Sequence, residues 1–290
     1  MATSMRSSAR RSAGGAERAA RGAATSPEAT MLARFGYLAQ GVVYLIIGIL
    51  AARVAVGGGG GGANIDSRSA LHAIYTQPFG QFLLWIVAVG LIGYALFNFA
   101  RAFLDIEHAG RKPGAMAKRI GYAAVGVIYA GLAIAAIRMT MGAGSGKSSN
   151  ASAQDWTAHL LDLPFGKVLV VVAGLVMIGF AATQVKEAFT AKFERKLSFG
   201  RTGRRLRAWI VGCGRFGMAA RAVVFAEIGI FLIIAALRHN STDAKGVGGA
   251  LAELVRQPYG HFLLAVVALG FIAYGIYAMA EARYRRIATS

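Results

Sequence analysis

Acidic residues are scarce in this 290-residue chain: 13 Asp and Glu stand against 32 Lys and Arg, and all charged residues together make up 16%. Soluble domains carry about a quarter charged residues, so the shortfall excludes an ordinary water-soluble globule. Cysteine is scarcer still. The single Cys213 excludes an intrachain disulfide. It is expected at the cytoplasmic end of the fifth membrane helix, where thiols stay reduced, and it reads as a small apolar packing residue. The five histidines (72, 108, 159, 239 and 261) fall in loops or at helix ends. None pairs with another at i, i+4 on an apolar run, as an in-bundle metal or haem ligand set requires. There is no nucleophile–base pair and no sizeable soluble domain, so neither enzyme chemistry nor a cofactor is expected.

What the chain has is apolar length. Hydrophobic residues are 56% and the mean hydropathy is +0.52. A bilayer core needs about 20 mostly apolar residues per helix. Six segments reach that length, roughly 35–56, 79–100, 120–139, 165–185, 216–237 and 259–280. Residues 1–30, rich in Ala, Arg, Ser and Gly, hold too little apolar surface to offset ordering entropy and are expected to form a disordered basic tail. A cleaved signal peptide is not expected behind such a tail.

The net charge of +19 suggests nucleic acid until its distribution is examined. The N-terminus, the 2–3 loop, the 4–5 loop and the C-terminus, with their helix ends, hold 23 of the 32 Lys and Arg, and the other loops hold eight. The positive-inside rule then puts both termini in the cytoplasm of a bacterial inner membrane. The expected partners of the basic face are anionic lipid head groups. Nucleic acid is excluded, because no aromatics that could stack on bases interleave the basic segments.

The chain also repeats itself. Arg34-Phe35-Gly36 recurs as Arg119-Ile120-Gly121 and Arg215-Phe216-Gly217, each opening an apolar run. About 44 residues later come Pro78-Phe79-Gly80, Pro164-Phe165-Gly166 and Pro258-Tyr259-Gly260, each opening another. A period of this kind fixes architecture. The expected fold is an all-α membrane protein with six transmembrane helices, arranged as three parallel two-helix repeats (31–110, 111–195 and 196–290) in a pseudo-threefold bundle. Two crossings per unit give all three the same orientation, unlike inverted transporter repeats. A short interfacial helix is expected before each Pro-aromatic-Gly mark, with the proline in the first turn of the next span. Glycines at helical spacing in each first helix (36, 41 and 48; 121, 126 and 131; 217 and 229, with Ala222) predict tight packing there.

These marks resemble a bacterial integral-membrane family, domain of unknown function 1206. The residues that carry the likeness are Arg34-Phe35-Gly36-Tyr37 with Gly41-Val42-Val43-Tyr44, and Ala70-Leu71 leading to Gln77-Pro78-Phe79-Gly80. Ala250-Leu251 and Gln257-Pro258-Tyr259-Gly260 repeat the pattern. The resemblance implies six membrane helices in three repeats and supplies no catalytic residues. The third unit departs from it, with Met218 and Phe225 where the others have tyrosines.

Two apparent nucleotide motifs fail. Gly212-Cys213-Gly214-Arg215-Phe216-Gly217 satisfies G-x-G-x-x-G but opens a membrane-length run rather than sitting in a βαβ unit. Gly146-Lys147-Ser148 lacks the glycine five positions earlier, which is Met141. The sharper candidates are Arg221 and Glu227, charged groups inside a span, where they are costly and mark function by default. They align with neutral residues in the other units, and six positions apart they do not share a helical face. A second set near the cytoplasmic ends of the even helices, Asn98, Arg101, Gln184, Glu187 and Glu281, could converge on one vestibule. Arg34, Arg119 and Arg215 read as snorkelling lipid anchors. The leading expectation is a non-enzymatic component of a membrane assembly that binds lipid or a membrane-protein partner. The alternative is a small ion or proton channel or transporter using Glu227.

Overall fold

The computed structural model describes residues 26–57, 65–104, 113–143, 146–199 and 203–285. Most of the expected tail, the glycines after Gly57, and His108 lie outside the described residues. The elements are α1 (Pro27–Ala55), α2 (Ser67–Tyr75), α3 (Gly80–Phe103), α4 (Pro113–Thr140), α5 (Ser149–Leu161), α6 (Gly166–Thr190), a 3₁₀ turn (Lys192–Lys196), α7 (Arg204–Arg238), a second 3₁₀ turn (Ser241–Asp243), α8 (Val247–Arg256) and α9 (Gly260–Tyr284). Six of them, α1, α3, α4, α6, α7 and α9, are long and apolar enough to cross a membrane. The all-helical fold of three repeats is therefore as expected, with a short helix before each second span. Three spans, α1, α4 and α7, begin earlier than the apolar runs suggest. Helix α1 starts at Pro27, inside the stretch assigned to the tail, and α7 starts at Arg204, carrying basic residues well ahead of its apolar part.

The Pro-aromatic-Gly mark forms a turn, and the proline does not enter the helix. In all three copies the span begins two residues later, at Gly80, Gly166 and Gly260. The carbonyls of Gln77, Leu163 and Gln257 accept from the N–H of those glycines at 2.7, 2.8 and 2.8 Å. The aromatic third residue takes φ of 59°, 63° and 61°. This is the pattern of a type II turn, with proline second and a left-handed third position. The glycine is required for space. A Cβ there would stand 2.1, 2.0 and 2.1 Å from the carbonyl oxygens of Tyr75, Leu160 and Val255, in the last turn of the preceding short helix. The aromatics themselves, Phe79, Phe165 and Tyr259, are almost fully exposed, as suits rings at head-group depth.

Packing follows the threefold order at the joints between units. Each second span lies on the first span of the next unit: α3 on α4, α6 on α7, and α9 on α1. Glycine pairs make two of these joints close. A Cβ on Gly41 would lie 2.8 Å from the Gly275 carbonyl, and one on Gly174 would lie 2.8 Å from that of Gly229. The first helices were expected to pack tightly, and they do so against second helices rather than against one another. Inside the units the symmetry breaks. Helices α1 and α3 pack together, as do α7 and α9, but α4 and α6 do not.

Tyrosines fill much of the interior. Tyr37, Tyr94, Tyr129, Tyr274 and Tyr277 are all buried. Edge-to-face pairs link Tyr37 to Tyr94 at 5.2 Å, Tyr94 to Tyr129 at 4.6 Å and Tyr44 to Tyr274 at 4.7 Å. At one end the short helices are tied together. Buried Asp66 caps α2 through the N–H groups of Arg68 and Ser69 at 3.1 and 2.8 Å, and also accepts from the Ser149 N–H of α5 at 2.6 Å. Asn150 in turn accepts from the Gly246 N–H ahead of α8 at 3.2 Å. At the basic end, Phe193 and Leu197 fold over α9, and the Ser198 N–H donates to the Tyr284 carbonyl at 2.7 Å.

Candidate functional site

Arg221 projects from the middle of α7 into the tyrosine cluster and is 9% exposed. Its guanidinium carbon lies 4.2 Å from the ring centre of Tyr274, 5.1 Å from Tyr44 and 5.2 Å from Phe225. Among the described residues it has no carboxylate partner, and its Nε is buried without an acceptor. Its counterpart in the first unit, Gln40, is also buried, and donates from Nε2 to the Tyr274 hydroxyl at 3.4 Å. Cation–π contact with desolvated rings is worth about 2 kcal/mol or more, so the cage itself accounts for part of the stability of a buried cation. A small cavity of about 20 Å³ adjoins it, lined by Tyr44, Ser67, Arg221, Phe225 and Val247 among others.

Glu227 lies elsewhere. It is half-buried, one carboxylate oxygen is enclosed, and among the described residues it makes no hydrogen bond or ion pair. The charges that act on it are Lys245 and Glu253, which pair with each other near the short helices. Arg221 and Glu227 are thus two separate sites, as their six-residue spacing implies.

The second candidate set divides. Arg101 is buried with its guanidinium 3.6 Å from the Tyr122 ring centre, and Asn98 beside it donates to the Tyr94 carbonyl at 2.8 Å. Glu281 is buried in an ion pair with Arg285 at 2.5 Å. Arg101, Glu281 and Arg285 all act on Tyr37, so the structure brings these together. Gln184 and Glu187 sit on α6, and among the described residues their side chains have no hydrogen bond or ion pair. The repeated arginines serve the joints between units. Arg119 donates to the Ala102 and Phe103 carbonyls at 2.6 and 3.0 Å, and Arg215 to the Ala188 carbonyl at 2.7 Å. These are the open carbonyls at the end of the preceding second span, which basic side chains commonly satisfy. Arg34 makes no such bond among the described residues.

The open hairpin is the feature that the sequence reading missed. In unit one, Gly90 meets Ala39 and Gly36 meets Tyr94; in unit three, Gly270 meets Ala220 and Gly217 meets Tyr274. At the matching places of unit two stand Val176 with Ala124, and Gly121 with Phe180. A Cβ on Gly121 or Gly179 would meet nothing within 4 Å. Ile120, Ala124 and Val176 are exposed, so α4 and α6 leave apolar surface open where the other two hairpins close. A sequence signal existed, because valine replaces the glycine of both other repeats. Among the described residues no three His, Cys, Asp or Glu side chains gather as a metal would need. Gly212 to Gly217 lie inside α7, with no loop to cradle a phosphate.

The three units are also found by comparison with known proteins. The family described as Domain of Unknown Function (DUF1206) matches at residues 35–105, 120–191 and 216–285, one match for each unit. The chain belongs to this family. An uncharacterized protein, YxxB of Bacillus subtilis (strain 168), is 35% identical over 263 residues, covering 91% of this chain and 94% of its own. No solved structure matches. The DUF1206 boundaries begin one residue after each repeated arginine and run through the following second span, so the unit of the family is the hairpin.

Proposed function

We propose that this DUF1206 protein is a non-enzymatic component of a bacterial inner-membrane assembly, with both termini in the cytoplasm, and that it binds anionic phospholipid in the seam between α4 and α6. The observation that carries this reading is the unpacked second hairpin. Small residues and a neighbouring helix close the other two, whereas this one offers apolar side chains along its length. Both ends of the seam are basic: Arg119 and Lys186 at one end, Arg138 and Lys167 at the other. The two helices hold one acidic residue, Glu187. Acyl chains suit the apolar middle and a phosphate suits either end. A partner helix is the other occupant of the same seam.

A photocrosslinking residue placed at Ala124 or Val176 in native membranes tests this. The expected product is an anionic phospholipid adduct well above that from Leu96 or Leu269, exposed positions on the closed hairpins. A discrete protein adduct instead would make the occupant a partner helix. Equal, unselective labelling at all four positions would remove the seam as a site. The unpartnered carboxylate of Glu227 supports the second reading, a proton or cation pathway, while the packed cluster of buried tyrosines weighs against an open pore. Proteoliposome flux unchanged by Glu227→Gln would end that reading.

A further inference from the structure

We infer that Arg221 is the core of a binding site for one small monovalent anion, of halide or nitrate size, reached from the face that carries α2 and α8. Two independent observations meet here. The first is a guanidinium more than nine-tenths buried within a span, with no carboxylate partner among the described residues and with an Nε–H that has no acceptor. A charge inside a bilayer-spanning bundle demands compensation. Three aromatic rings supply part of it, but rings offer no lone pair to the Nε–H. A water molecule would satisfy that donor and leave the charge; an anion satisfies both.

The second observation is space in the right place. The cavity of about 20 Å³ is lined by Arg221, and it exceeds the roughly 10–15 Å³ that one water-sized occupant needs. It is far too small for a nucleotide, sugar or lipid head group, so size sets the ligand class. Its other walls explain access. Ser67 and Val247 are the first residues of α2 and α8, so the cavity extends from the buried guanidinium to the short-helix layer. Tyr44 and Ser67 bring hydroxyl groups to the walls, donors of the kind an anion accepts from. The site requires the third unit. Gln40 and Val125 hold the matching positions in the other two units, and neither is charged.

The test uses the full-length protein in detergent, with thermal unfolding followed at constant ionic strength while gluconate is replaced by chloride, bromide or nitrate. Binding to the folded state alone raises Tm with the logarithm of anion concentration, by about 2–3 °C at a tenfold excess over Kd for a chain of this size. Arg221→Gln is expected to abolish the shift. Should that variant fail to fold, Ser67→Leu, which obstructs the cavity and leaves the arginine in place, is expected to abolish it equally. Bromide located at Arg221 by anomalous scattering would support the site directly. A Tm that is the same in chloride, nitrate and gluconate would overturn the inference, as would a shift that survives both substitutions. Either result leaves the α4–α6 seam untouched, because its crosslinks do not depend on anion.

Discussion

The first and third hairpins are closed and the second is open, although all three share their turns, their packing of second span on next first span and their glycine-rich first helices. The difference lies at one position. Where two helices cross closely, the side chain at the crossing sets their separation, and glycine permits the nearest approach. Gly90 and Gly270 hold that place in units one and three, and Val176 holds it in unit two. Once the crossing fails, the glycines opposite it lose their purpose, and Gly121 and Gly179 face open space. Threefold symmetry is thus kept at the joints between units and given up inside one of them.

Copying the open hairpin into a closed one should have the largest effect. A Cβ on Gly270 would stand 2.1 Å from that of Ala220, and one on Gly90 would stand 2.6 Å from that of Ala39. Gly270→Val and Gly90→Val are expected to cost about 3 kcal/mol or more, since overpacking of a tight crossing must move whole helices. Denaturant unfolding in mixed micelles measures this. If either variant stays within about 1 kcal/mol of the parent, Val176 is not what opens the second hairpin.

The short-helix layer should come next, because it joins the units whether their hairpins are open or closed. Burial alone would raise the pKa of Asp66, but the hydrogen bonds from Ser149 and Ser69 prevail and hold its carboxyl below the ordinary carboxylate range. A carboxyl so depressed contributes stability that is complete above its unfolded value, about 3.9, and is lost as pH falls through the folded value. Asp66→Ala is expected to cost about 2 kcal/mol near neutral pH, through a lost helix cap and an unmet Ser149 N–H. Asp66→Asn should flatten the acid limb of the stability profile. An acid limb that is unchanged in Asp66→Asn would show that the bridge between units one and two does not govern it.

The arginine joints should matter less. Removing Arg119 or Arg215 frees helix-end carbonyls that water can reach, an expected loss of about 1 kcal/mol each. Arg34→Ala, which has no such bond to lose, should cost less than either in the same unfolding assay.

How much of this was legible in the sequence depends on the range of the interaction. The six spans, the short helices and the repeat order follow from local hydropathy and period, although α1, α4 and α7 extend ahead of their apolar runs. The turns were recognised but misassigned, because proline at the first helical position and proline second in a type II turn read alike until φ of Phe79, Phe165 and Tyr259 is known. Arg221 and Glu227 could be singled out as charges within a span. The cage of Tyr44, Phe225 and Tyr274 could not, since three helices meet there at contacts that no spacing encodes. Asp66 and Asn150 were missed for the same reason: each looks like an ordinary loop residue until the neighbouring unit's backbone N–H is placed beside it. The open hairpin was visible in principle as Val176 among glycines. Its meaning required knowing that the eleventh residue of each second span is the crossing point.

The smallest expected effect separates the two kinds of hairpin most cleanly, because it should change sign between them. Gly36 and Gly121 occupy the same place in units one and two. A Cβ on Gly36 would stand 2.7 Å from the Cβ and backbone nitrogen of Tyr94, whereas one on Gly121 would meet nothing within 4 Å. Both residues are mid-helix, where alanine is preferred to glycine by about 1 kcal/mol when nothing opposes it. Gly121→Ala should therefore raise stability by about 0.5–1 kcal/mol, mainly by restricting the unfolded chain. Gly36→Ala should lower it, because the backbone of α3 cannot move aside as a flexible side chain would. Measured together in lipid, the pair also reports on occupancy. If an anionic phospholipid sits in the seam against Gly121, the added methyl should weaken crosslinking from Val176 while the protein itself becomes more stable, an opposition of binding and stability that an empty seam would not produce.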